Sequence, residues 1–101
     1  MFYSVVTWPI PLDSAFPSMP DDKKVELQAL AETLAPGFNS VITVAFLRPL
    51  HVIAIRTWPS EEIAQQWVDH FNANFDVESA VVTSEPVDLS EYMIYYSSED
   101  Q

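Results

Sequence analysis

The chain has 101 residues, fifteen of them acidic and four basic, with a formal charge of −11, 49% hydrophobic residues, one glycine, eight prolines and no cysteine. That is one domain with a real core: residues 1–96 are expected to fold together, with 97–101 as a disordered acidic tail. The absence of cysteine excludes disulfides, zinc fingers, iron–sulfur clusters and thiol nucleophiles, and a lone Gly37 excludes a phosphate-cradling glycine loop.

The cations are Lys23, Lys24, Arg48 and Arg56, with none beyond position 56. Binding to nucleic acid or to an anionic membrane surface depends on lysine and arginine releasing counterions, so neither is expected as a partner. The acidity reads as solubility, or, in a sharper alternative, as carboxylates that imitate phosphates in a decoy for a DNA-binding protein. The start, Met1-Phe2-Tyr3-Ser4-Val5, shows no basic leader region or cleavage site, and no apolar run approaches bilayer length, which gives the expectation of a cytoplasmic location.

Phe2 to Trp8 predicts a strand, rich in aromatic and β-branched residues. Pro9, Pro11, Pro17 and Pro20 then punctuate a loop that regular structure cannot cross. A connection this long is uncommon in a compact domain and is often a binding loop or lid. Residues 21–35 predict a helix with Asp21 and Asp22 at its positive end and Leu27, Leu30, Ala31 and Leu34 on one buried face; Pro36-Gly37 stops it. Residues 41–47 and 50–56 predict two strands of a hairpin around Arg48-Pro49.

Neither hairpin strand alternates polar with apolar, so both faces of the sheet are apolar. An apolar face of an antiparallel sheet needs a cover. The two helices cover one side, and the other is expected to require a second subunit. Ser60 caps a second helix, with Glu61 and Glu62 in its first turn; Ile63, Ala64, Trp67, Val68, Phe71 and Phe75 form its apolar side, bordered by His70 and Asn74. Val77 to Val87 predicts a fourth strand, and the aromatic stretch Leu89 to Tyr96 is expected to pack as an edge strand or across a partner. The order strand–helix–strand–strand–helix–strand is the ferredoxin-like α+β plan, an antiparallel sheet with both helices on one face.

Pro36-Gly37-Phe38 after the first helix, the hairpin behind it, and Trp58-Pro59-Ser60-Glu61-Glu62-Ile63 with Trp67 further on resemble the antibiotic biosynthesis monooxygenase-like family of the dimeric α+β barrel superfamily. The resemblance covers about residues 2–87. It implies a homodimer in which two sheets form a shared barrel, and a pocket between each sheet and its helices for a small aromatic or apolar ligand. Some members oxidise aromatic polyketides without a cofactor. Haem-degrading members use a strand-one Asn, a Trp and a helix-two His; Trp58 and His70 match the last two, but the first strand holds no Asn, and a charge of −11 does nothing to attract haem propionates. No cofactor and no metal are expected.

The candidate pocket residues are Trp58, Trp67, Phe71, Asn74, Tyr3, Phe46 and Arg56, since ligand sites are mostly apolar with a few placed polar groups; each aromatic also reads as plain core. His70 is the candidate general base for a phenolic substrate, or else a surface histidine leaning on Trp67. His51 is a second candidate, or a wetted hairpin end. Arg56, in an otherwise apolar strand, calls for an acidic side chain or a ligand anion. Glu61 and Glu62 are adjacent on a helix and do not face one another, so they are not a catalytic pair. The function so read is a monooxygenase-like homodimer with an aromatic pocket; the alternative is a non-catalytic ligand-binding or structural dimer.

Overall fold

The structure, a computed structural model, describes residues 1–9, 21–47, 51–75 and 77–98. The proline-punctuated loop from residue 10 onward and the hairpin turn at 48–50 lie outside the described residues. The elements are β1 (Phe2–Pro9), α1 (Asp21–Leu34), β2 (Ile42–Leu47), β3 (His51–Trp58), α2 (Glu61–Asn74), β4 (Ser79–Thr83) and β5 (Met93–Ser97). The protein is α+β, with one five-stranded sheet in the order β4-β1-β3-β2-β5 and every neighbouring pair antiparallel. Its first four strands follow the ferredoxin-like order, and β5 adds to the free edge of β2.

Local chemistry accounts for the helix ends. Ser60, in extended backbone, accepts the Ile63 N–H at 3.3 Å, and Glu61 and Glu62 occupy the positive first turn of α2. α1 ends where Gly37 takes a φ of +72°, a conformation that costs glycine little, and its N–H donates to Glu32 Oε1 at 3.2 Å.

Residues paired across the sheet share a face, so the register sorts every strand residue. Val6, Trp58 and Ala80 lie on the helix side, and form one buried cluster with Ala31 and Ala35 and with Ala64, Trp67, Val68 and Phe71 of α2. Leu27, Leu30 and Leu34 of α1 pack against it. On the other side, Val5, Ala45, Ile53 and Ile55 form a second buried cluster.

The cover of that second cluster differs from expectation. β4 ends at Thr83 instead of running to Val87, and β5 lies at the opposite edge of the sheet. The connecting arm therefore crosses the outer face, and Val87, Leu89 and Tyr92 pack on the cluster there, together with Tyr3. The chain thus carries its own cover for the centre of this face, so the apolar pattern alone does not demand a second subunit. The aromatic stretch after Leu89 forms the edge strand β5, which reaches Ser97; the Ile42 N–H also donates to Ser98 Oγ at 2.9 Å, so order extends past the expected boundary at 96.

Candidate functional site

Trp58, the last residue of β3, is fully enclosed, and its Nε1–H donates to Ser4 Oγ of β1 at 2.9 Å. Ser4 in turn donates to the Arg56 carbonyl at 3.4 Å. This bond settles the one polar atom of a buried indole, which would otherwise lose its hydration without replacement. Trp67 of α2 meets Trp58 at 5.0 Å between ring centroids, tilted by 47°, and the aromatic run continues through Phe71 (5.3 Å) to Phe75 (4.8 Å, stacked).

Arg56 stands two residues before Trp58 on the same strand face. Its guanidinium carbon lies 5.3 Å from the Trp58 ring centre and 5.1 Å from that of Trp67, within the range of cation–π attraction. Its Nε is buried with no hydrogen-bond partner. His51 lies 3.0 Å from Glu78 and His70 3.6 Å from Glu26, and no described carboxylate is placed to neutralise Arg56. Burial alone draws its pKa below the usual arginine value, yet an arginine stays charged at neutral pH.

Beside this layer, beyond the strands that α2 covers, the helix-side face continues over β2 and β5. Ile42, opposite Arg56, and Phe46 are half-buried there, and Met93, opposite Phe46, is 54% exposed. The result is an apolar strip with a cation at one end, enclosed at its middle, where Val44 and Val52 are 4% and 5% exposed.

The predicted site residues divide accordingly. Trp58, Trp67, Phe71 and Arg56 come together. Tyr3 does not join them: strand alternation turns it to the outer face, where it packs on the Val5–Ile55 cluster. Phe46 shares the helix-side face, but it sits opposite Val52, six residues or about 20 Å of strand from Trp58. His51 is exposed at the far end of β3 and pairs with Glu78 at 3.0 Å, a surface contact.

His70 neighbours Phe75 (5.9 Å) and Phe71 (6.4 Å, edge-on), so it does not lean on Trp67. Its Nε2 is buried without a hydrogen bond, 3.6 Å from Glu26 Oε1 on α1. Asn74, exposed, donates to the His70 carbonyl at 3.0 Å, and its amide nitrogen lies 3.3 Å from His70 Nδ1. Ser4 was not among the predicted residues. Its signal is a small polar residue between Phe2 and Val6 on one face of an apolar strand.

Glu61, Glu62, Gln65, Gln66 and Asp69 line an open depression on the solvent side of α2. Among the described residues no group of His, Asp and Glu is placed to hold a metal ion, and no helix is long and apolar enough to cross a membrane. No protein-family model, curated protein or solved structure matches the chain.

Proposed function

We propose that this chain is a ligand-binding domain of the antibiotic biosynthesis monooxygenase-like type. It seats a small planar aromatic or apolar compound on the helix-side face of β2 at Ile42, beside Arg56 and the Trp58–Trp67 layer. The observation that carries this reading is the contrast along one sheet face: Trp58 has no exposed surface, whereas Ile42, across from Arg56 on the same face, is half-buried, and Met93 farther along it, opposite Phe46, is 54% exposed. Small-molecule sites are apolar floors with few convergent polar groups, and the strip has that composition.

The test is ligand-observed fluorine NMR with an uncharged planar probe, 6-fluoro-2-naphthamide. Saturable binding that weakens at least tenfold in Ile42→Ser is the expected result. No binding at millimolar probe would reject the reading.

The catalytic version places His70 as the base, with its Nε2 3.6 Å from Glu26 Oε1 on α1. Oxygen uptake with quinol substrates, lost in His70→Ala, is what that version requires. For the assembly we propose a homodimer that pairs across the outer face. Val81 and Ile94, each 50% exposed on that face at opposite edges of the sheet, are the apolar surface left beside the arm.

A further inference from the structure

We infer that the compound seated on this strip is an aryl carboxylic acid and that Arg56 is the residue that reads its carboxylate. The inference rests on the binding reading above and adds the charge of the ligand.

The position of the guanidinium supports it. In a chain with fifteen carboxylates, an arginine paired for structural reasons alone has many potential partners. Yet Glu78 and Glu26 lie beside the two histidines, and Arg56 Nε is left buried with nothing to accept its proton. Ordinary buried charges are paired, because the loss of hydration is large and must be recovered from a counter-charge. The neighbours across the strands do not supply one: Arg56 lies between Ser4 and Ile42, and the Ser4 hydroxyl is already engaged by the Trp58 indole and the Arg56 carbonyl.

The indoles give the site its selectivity. Packed against Trp58 and Trp67, the guanidinium is held in place rather than sweeping through solvent, which preorganises its planar fork for a planar two-oxygen acceptor. The aromatic body of such an acid then lies on Ile42, opposite Arg56, so the ring meets apolar surface and the acid meets the cation. A carboxylate is favoured over a phosphate: a net charge of −11 opposes a dianion about twice as strongly as a monoanion, and one arginine neutralises only the monoanion.

The experiment compares 6-fluoro-2-naphthoate with 6-fluoro-2-naphthamide, isosteric and differing in charge, by fluorine NMR on the full chain, with 2-naphthyl phosphate as competitor. Wild type is expected to bind the acid at least tenfold more tightly than the amide. In Arg56→Met that ratio falls toward one, and Arg56→Lys, which keeps the charge but loses the fork, gives an intermediate ratio. Near-ultraviolet circular dichroism of the buried indoles reports whether each variant remains folded; the wild-type ratio needs no variant at all. Equal affinity for acid and amide, an undiminished ratio in a folded Arg56→Met, or stronger competition by the phosphate than by the acid overturns the inference. Binding by neither probe instead removes the binding reading on which it rests.

Discussion

The two faces of this sheet are roofed by different materials. On the helix side, α1 and α2 close over Val6, Trp58 and Ala80, and the roof carries its own hydrogen bonds, a Ser60 cap and a stacked aromatic run. On the outer side the roof is an irregular arm that touches the Val5, Ala45, Ile53 and Ile55 cluster through three side chains. Local bonds hold it: the Ser90 N–H to Asp88 Oδ1 at 2.9 Å and the Tyr92 N–H to the Leu89 carbonyl at 2.9 Å. Beyond it, β5 joins β2 through a register shift between Val44 and Ala45. A regular roof is cooperative with the core, whereas an irregular one opens in partial unfolding at lower free energy. The lesson is that equal burial on two faces does not mean equal stability.

The largest effect is expected on the helix side. Trp58→Ala removes the most enclosed large side chain and leaves Ser4 without its donor, at a cost of about 3–5 kcal/mol in urea denaturation. A loss under 1 kcal/mol would show that this face is looser than its burial implies. Leu89→Ser in the arm is smaller, about 1 kcal/mol for a half-buried leucine. Its signature is local: amide exchange in β5 and along β2 accelerates while the β1–β3 ladder stays protected. Uniform acceleration would mean that both roofs belong to one cooperative unit.

The smallest effect is electrostatic. Hydrogen bonds from Ser90 hold the Asp88 carboxyl below the ordinary aspartate value of 3.8. Because the folded value is depressed, its contribution to the arm is present above that ordinary value and is lost as pH falls through the folded one. Arm amide exchange, corrected for intrinsic rates, should rise only at pH below about 4, and Asp88→Ala should abolish that pH dependence.

Much of the fold is legible in the sequence because it is set by local chemistry. The Ser60 cap, the spacing of Ala64, Trp67, Val68 and Phe71, and the stop at Pro36-Gly37 each depend on residues within two helical turns. The arm is not legible in this way. Val77 to Val87 has the composition of one strand, and only tertiary pairing decides that Ser79–Thr83 stays in the sheet while the residues after it lead to Val87 on the outer face. Strand parity is equally hidden: with apolar residues at consecutive positions of β1, nothing local says that Ser4 rather than Tyr3 faces Trp58. Arg56 and Trp58, two apart on a strand, share a face by alternation alone. The contact of both with Trp67 needs α2 to dock, so the stacked guanidinium emerges only from the assembled layers.

The account turns most on the arm, and methyl NOE spectroscopy tests it directly. In a sample that mixes isotope-labelled with unlabelled chains, cross-peaks from the Val87 and Leu89 methyls to those of Val5, Ala45, Ile53 and Ile55 should arise within single molecules. Their absence, or their appearance only between molecules, would contradict a sheet that roofs its own outer face.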